Sequence, residues 1–274
     1  MAILKFTGTS WTSIAKLDNI APSSIAKIGN IPVPSSALPA QTGDLWNWSD
    51  PSSSTVGDTT VPDLTYQNYG TYSAYDNSLA GSSGPAIVDL SGTKCWYLNG
   101  TSGDIVVTNN VRSGSTNLWL PSGDYTTYTM EMWIRSNGSW ISNGNLWNIG
   151  YNSATRSRID SSNRIWTYPR ASKTTSGTLS TNTWHHIVWT MTSEVGNIND
   201  YGTLVVYKNG SVMQTFTNIN KNPNYATATQ FFGGYSSTRE KQRFYLGLQR
   251  RYGIALTAAE VLSNYNLNKA DYGY

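Results

Sequence analysis

Between residues 140 and 168, Trp140, Trp147, Tyr151, Arg164, Trp166 and Tyr168 bring together the side chains that recognise sugars. Aromatic faces stack on the C–H face of a pyranose, and a guanidinium supplies planar hydrogen bonds. Alternating aromatics also fill the space between packed sheets, so these glycan-binding candidates are expected to divide between a core and an exposed face. Other chemistry is thinly represented. His185 and His186 are the only two histidines, and as neighbours on a strand they face opposite sides and cannot grip one metal. A nucleophilic site would need Cys95 beside one of them with an orienting acid. The lone Cys95 reads instead as a small buried hydrophobe. The glutamates Glu131, Glu194, Glu240 and Glu260 lie far apart in the chain. Glu131, between Met130 and Met132, is expected to face solvent from a strand. Asp124, Asp160 and Asp200 read as turn residues that bond their own backbone. No Asp-rich loop supports calcium. No catalytic residue, metal or cofactor is expected.

The elements that must carry these side chains are strands. The chain of 274 residues holds 11 Trp and 18 Tyr against 5 Phe and 5 Met, with 24 Gly, a balance that favours strands and turns. Asn-Gly pairs at Asn99, Asn137, Asn143 and Asn209 supply the positive φ angles of tight hairpins, and hairpins imply antiparallel sheets. The apolar run Leu204-Val205-Val206-Tyr207 suits a strand buried on both faces. Thr257 and Glu260 have the spacing of a capping box that starts a short helix, with Leu256, Val261 and Leu262 expected to seat it on a sheet.

Several of these stretches stand in an order that resembles the laminin-G-like, concanavalin A-like lectin domains. They are Val88-Asp89-Leu90-Ser91-Gly92 with Leu98-Asn99-Gly100-Thr101, then Tyr128-Thr129-Met130-Glu131-Met132-Trp133-Ile134. Asn182-Thr183-Trp184-His185-His186-Ile187-Val188-Trp189-Thr190 and Leu204 to Val212 follow, and Phe244 to Asn266 closes the series. The resemblance covers residues 63–274 and implies an all-β, two-sheet antiparallel β-sandwich of jelly-roll type with a short C-terminal helix. Some glycosidases share such a sandwich, but the closely spaced Glu-x-Asp-x-x-Glu motif of the sandwich-fold glucanases is missing here, so the domain is expected not to be an enzyme. The closing Asn264-Tyr265-Asn266 with Lys269 is similar to versions carried by bacteriophage structural proteins.

Ahead of that domain, Ser13-Ile14-Ala15-Lys16-Leu17-Asp18-Asn19-Ile20 returns as Ser24-Ile25-Ala26-Lys27-Ile28-Gly29-Asn30-Ile31. Trp11, Ile14, Leu17, Ile20, Ile25, Ile28 and Ile31 are too few, and too interrupted by prolines, to close a core alone. Residues 1–35 therefore read as a segment that docks on a particle, or as edge strands of the chain's own sandwich. Residues 36–62 read as a Pro/Ser/Thr-rich connection in which Trp46 and Trp48 share a side. Residues 1–150 carry 6 Lys and Arg against 10 Asp and Glu, and residues 151–274 carry 13 against 6. The basic run Arg239, Lys241, Arg243, Arg250 and Arg251 is interrupted by Glu240 and reads as a solvated strand or a salt-bridged subunit contact, so no nucleic acid is expected. No apolar run reaches the roughly 18 residues that span a bilayer, nor does the amino end have the order of a signal peptide. The expectation is a non-enzymatic virion structural protein, a capsid decoration or head fibre or a short tail appendage. Its partners would be other virion proteins, further copies of itself and host-surface glycans. A tail-fibre adhesin, a secreted carbohydrate-binding module and a sandwich-fold glycoside hydrolase are the alternatives.

Overall fold

Alternation along Tyr128–Ser136 gives that stretch two faces. Met130, Met132 and Ile134 join one apolar layer, while Thr129, Glu131 and Trp133 turn the other way. All of them are buried, so the strand lies at the centre of the molecule. The computed structural model describes residues 27–28, 31–32, 45–58, 60–62, 71–74, 86–100, 106–109, 127–149, 155–168, 173–193, 201–220, 230–234 and 241–274.

The strands begin with β1 (Lys27–Ile28), β2 (Ile31–Pro32), β3 (Leu45–Ser49), β4 (Thr60–Pro62), β5 (Thr71–Ala74) and β6 (Ala86–Leu90). Next come β7 (Thr93–Asn99), β8 (Val106–Asn109), β9 (Tyr128–Ser136), β10 (Gly144–Ile149), β11 (Thr155–Ile159) and β12 (Arg164–Tyr168). The last are β13 (Lys173–Thr178), β14 (His185–Ser193), β15 (Tyr201–Lys208), β16 (Ser211–Asn220), β17 (Gln230–Phe232) and β18 (Arg243–Tyr252). Helix α1 (Ala258–Asn268) and a 3-10 turn (Lys269–Tyr272) close the chain.

One sheet runs β16-β15-β14-β9-β18-β7-β6, and the other β13-β12-β11-β10-β17-β8-β5-β4. Strand β3 pairs with the end of β18 that β7 does not reach. Neighbouring strands are antiparallel, so the molecule is the expected two-sheet sandwich. Between the sheets lie Trp96, Met130, Met132, Leu146, Trp147, Ile159, Ile165, Trp189 and Phe232 with their neighbours. Burying each large apolar side chain contributes about 1.5–3 kcal/mol. Strand β15 is buried on both sides as its apolar run requires. Leu204 and Val206 enter the inter-sheet core, and Tyr207 joins a second layer under the helix.

That second layer lies on the outer side of the first sheet. Thr257 and Glu260 form the capping box, with Glu260 N donating to Thr257 Oγ1 (3.3 Å) and Thr257 N donating to Glu260 Oε2 (2.8 Å). Leu256 and Val261 are buried as expected, but Leu262 is 45% exposed. Leu262 lies instead over the tight turn of the β15–β16 hairpin, where a Cβ on Gly210 would come 2.9 Å from Leu262 Cδ1. Asn209 (φ 52°) and Gly210 (φ 75°) supply the positive φ pair that turn demands. Gly247 solves a different problem. At the irregularity in β18 between Leu246 and Gln249 its bare Cα admits the Tyr272 ring, and a Cβ there would stand 2.5 Å from the phenol oxygen.

Two parts of the stretch read as an irregular connection are strands. Leu45–Ser49 pairs with β18, Trp48 opposite Arg250, and Thr60–Pro62 pairs with β5. Of the proposed anchoring residues, Trp11, Ile14, Leu17, Ile20 and Ile25 lie outside the described residues. Ile28 and Ile31 pair with each other across β1 and β2.

Candidate functional site

The β11–β12 hairpin turns Ser157, Ile159, Ile165 and Thr167 inward, which leaves Arg156, Arg158, Arg164 and Trp166 for the outer face of the second sheet. Its turn is fixed by Asp160, whose Oδ1 accepts from the backbone of Ser162 (2.8 Å) and of Arg164 (2.9 Å). Register then sets Arg158 opposite Trp166 and Arg156 opposite Tyr168. The guanidinium carbons of Arg158 and Arg156 stand 4.9 Å and 5.3 Å from the centre of the Trp166 ring, within cation–π range.

Strand β10 completes the row through a bulge. Asn145 is opposite Arg158 and Asn148 opposite Arg156, with an extra residue between Asn145 and Trp147. The bulge keeps both asparagines on the arginine side while Leu146 and Trp147 sink into the core. Arg158 Nε donates to Asn145 Oδ1 (3.1 Å). Both asparagines are 0% exposed and back the row from beneath, so what faces solvent is a partly exposed indole beside two partly exposed guanidinium groups, the chemistry suited to a sugar ring and its hydroxyls.

The six candidate sugar-binding side chains part company in the fold. Trp166 belongs to the outer row, and Arg164 lies beside it, bound to Asp160 at 2.7 Å. Trp140 (6% exposed) and Trp147 (0%) are core residues and leave the candidate set. Trp147 packs edge-to-face with Trp189, centroids 5.6 Å apart, and at 0% exposure it has no face open to a sugar. Tyr151 lies outside the described residues, as does the side chain of Tyr168. Arg156 and Arg158 join Trp166 on this face, with the buried Asn145 and Asn148 behind them. An Arg-x-Arg strand facing Trp-x-Tyr was the available signal for the arginines, but the bulge that recruits the asparagines has none.

Under the helix lies a second polar cluster, fully buried. Glu131, expected at the surface, is 0% exposed. Arg250 Nη1 donates to its Oε1 (2.9 Å), and Asn264 Nδ2 (2.8 Å) and Tyr252 Oη (3.3 Å) donate to its Oε2. His186 Nε2 stands 3.0 Å from Oε1. An ionised carboxylate only accepts, so Nε2 carries the hydrogen. Arg250 reaches on to Asn268 Oδ1 (2.7 Å). The basic run is therefore no solvated strand at this point, for Arg250 and Arg251 are both buried. Burial by itself would raise the Glu131 pKa, but the Arg250 charge and the hydrogen bonds of His186 and Asn264 hold it down at about 2. Every oxygen being engaged, the cluster ties sheet to helix and offers no vacant acid.

His185, on the opposite face of β14, is pushed down to about 4, chiefly by burial, with the Lys208 charge adding and a hydrogen bond to the Ser180 carbonyl opposing. The unfolded chain takes up this proton first as pH falls. Stability is thus intact above about 6.5 and is expected to fall by about 3 kcal/mol as pH drops to 4. Urea melts of the parent and His185→Gln across that range check this, the variant losing the slope.

Among the described residues no three His, Cys, Asp or Glu side chains gather to hold a metal. Asp124 and Asp200 lie outside the described residues, and Asp160 has its oxygens engaged by Ser162 and Arg164. Cys95 is buried, its thiol pushed up to about 12 primarily by desolvation. No described helix is long and apolar enough to cross a membrane.

No curated protein matches the sequence. Among solved structures, domain 4 of AbnA, a GH43 extracellular arabinanase from Geobacillus stearothermophilus, in complex with arabinotriose, aligns with TM-score 0.56 and 17% identity, covering 81% of this chain and 98% of that one. The ligand-binding domain of botulinum neurotoxin serotype D with N-acetylneuraminic acid gives TM-score 0.55 and 18% identity over 82% of this chain. The binding domain of Paraclostridial Mosquitocidal Protein 1 gives 0.53 and 18% over 82%. This chain spans about half the length of the two toxin domains, 51% and 52%. At these identities the likeness concerns the fold. The model of the concanavalin A-like lectin/glucanases superfamily matches residues 99–262. With more than half of its length so matched and its two sheets packed as described, the chain belongs to the concanavalin A-like lectin/glucanases superfamily.

Proposed function

We propose that this chain is a non-enzymatic, glycan-binding sandwich protein whose ligand lies on the outer face of β10, β11 and β12. The observation that carries the reading is the Arg156–Arg158–Trp166 cluster, where a partly exposed indole lies beside two guanidinium groups, one of them braced from beneath by the buried Asn145. The absence of catalysis is supported by the fate of the two described glutamates. Glu131 is sealed in its ion pair and Glu260 is committed to the helix cap, so neither can act as acid or nucleophile at a glycosidic bond. Sugar-bearing relatives of the same fold, the arabinotriose and N-acetylneuraminic acid complexes, add support.

A glycan array probed with the full chain and with Trp166→Ala tests this. Specific spots are expected for the parent, weakened about tenfold or more in the variant. An array with no specific spots, or one unchanged by Trp166→Ala, would refute the site.

The wider setting we propose is a tailed-phage virion, the sandwich displayed outward and residues 1–35 holding the particle. Support comes from the eleven-residue repeat with its regularly placed isoleucines, too small to fold alone, and from the closing Asn264-Tyr265-Asn266. A chain lacking residues 1–35 is expected to fold and to be missing from purified particles. Its retention would overturn the anchor.

A further inference from the structure

The first sheet carries a second aromatic and cationic row, on the side away from the Trp166 face. Strands β7, β18 and β9 bring Tyr97, Tyr245 and Arg135 abreast, with Tyr245 opposite Tyr97 on one flank and opposite Arg135 on the other. The outward direction is fixed by the neighbours two residues along. Cys95 and Trp133 pack in the apolar layer outside this sheet, and Val88 and Tyr245 join it at its edge. The two tyrosine rings are 5.1 Å apart and inclined by 32°. Asn137 Nδ2 donates to the Tyr97 hydroxyl at 3.0 Å and fixes that ring. All three residues of the row are partly exposed, so the row opens to solvent past the end of the helical cover.

Arg135 is the unusual member. Its side chain makes no hydrogen bond or ion pair with any described residue, and its Nε is buried without a partner. Buried polar atoms in native proteins are nearly always satisfied, and here only Nε is sealed, so the Nη end of the guanidinium faces solvent and is uncommitted. The titratable groups that feel its charge give it no counter-ion. The Cys95 thiol and the Tyr245 phenol are both pushed up, first of all by burial, and stay protonated at neutral pH. Arg243, one outward-facing position before Tyr245 on β18, adds an exposed guanidinium whose Nε bonds the Asn99 carbonyl (3.1 Å). The next outward-facing positions along these strands are closed by Leu248 and the Tyr272 ring, which bounds the row on that side.

We propose that Tyr97, Tyr245 and Arg135 form a second ligand site, which takes a pyranose bearing a carboxylate. The carboxylate occupies the unpaired fork of Arg135 as a bidentate partner, and the sugar's C–H face lies on the tyrosine pair. The geometry stands apart from the Trp166 row, on the other sheet, and does not rest on glycan binding there.

The test is a titration of the full chain, followed by tyrosine fluorescence and NMR, with methyl β-glucuronide and methyl β-glucoside, two ligands that differ only in the carboxylate. Saturable binding of the glucuronide is expected, with the glucoside weaker by about tenfold or more, as a charge-assisted pair would give. Arg135→Gln should bring the glucuronide down to the glucoside's level without moving the melting temperature by more than a few degrees, and Trp166→Ala should leave it unchanged. Should Arg135→Gln melt early, Arg135→Lys keeps charge and bulk but removes the fork, and a similar loss is expected. Equal affinity for the two sugars, no saturation, or binding that survives both Arg135 variants overturns the proposal. Loss in Trp166→Ala alone would place the ligand on the other sheet and overturn it equally.

Discussion

Glu131→Ala is expected to cost the fold about 3–5 kcal/mol, the range for breaking a buried ion pair by removing one partner. Most of that cost comes from what is left behind. Arg250 would keep its charge at 1% side-chain exposure with its carboxylate gone, and the donors on His186, Asn264 and Tyr252 would lose their acceptor. Urea denaturation of parent and variant measures the loss directly. A double change, Glu131→Leu with Arg250→Met, should cost less than the single one, because it removes both charges together. The same carboxylate governs behaviour in acid. Its folded pKa of about 2 lies below the ordinary value of 4.5, so its contribution is complete above pH 4.5 and fades as pH falls to 2. The window lies below that of His185, and acid unfolding is expected in two stages assigned by the two variants.

Trp133→Ala is expected to cost a further 3–5 kcal/mol, the range for emptying a buried aromatic site. Trp133 is 0% exposed and lies flat on Tyr272, centroids 4.2 Å apart at 9°, with Tyr265 stacked at 5.7 Å and 18°. Both tyrosines belong to the C-terminal helical segment. Without the indole that segment loses its platform on the sheet, although the inter-sheet core is untouched. Hydrogen exchange should therefore show protection lost across 258–272 before it is lost in β9 and β14, and uniform loss would contradict this.

Both effects concern residues whose sequence signals were of unequal clarity. The place of Trp133 in a core strand follows from its alternation with Met132 and Ile134, and the helix beyond it from the Thr257 and Glu260 spacing. Glu131 obeys the same alternation, and the pattern does say that it faces away from the methionines. It cannot say that this second face is also covered, since the cover is a helix more than a hundred residues later. A carboxylate on a strand's polar face is ordinarily solvated, and only the arrival of Arg250, His186 and Asn264 makes burial tolerable. Arg250 repeats the lesson from the other side, for its charged neighbours in sequence suggest a solvated strand and its partner in space is Glu131.

The candidate binding face was half legible. Trp166 and Arg164 stand out as an aromatic and a cation on one strand, but Trp140 and Trp147 carry the same chemistry and are core. The difference between Trp147 and Trp166 is one of sheet face, and face depends on register. In β10 the bulge shifts that register by one residue, placing Asn145 and Asn148 on the arginine side and the intervening Leu146 and Trp147 in the core.

The sequence by itself determined the central strands, their hairpin turns, the helix cap and hence the sandwich, because these arise from side-chain alternation, positive-φ turn residues and hydrogen bonds between residues three apart. The tertiary structure alone decided which polar side chains are sealed and which are offered. That choice rests on pairings such as Glu131 with Arg250, Arg158 with Asn145 and Tyr97 with Tyr245. Their strength depends on distance and exclusion of water, neither of which is written in the local order of residues.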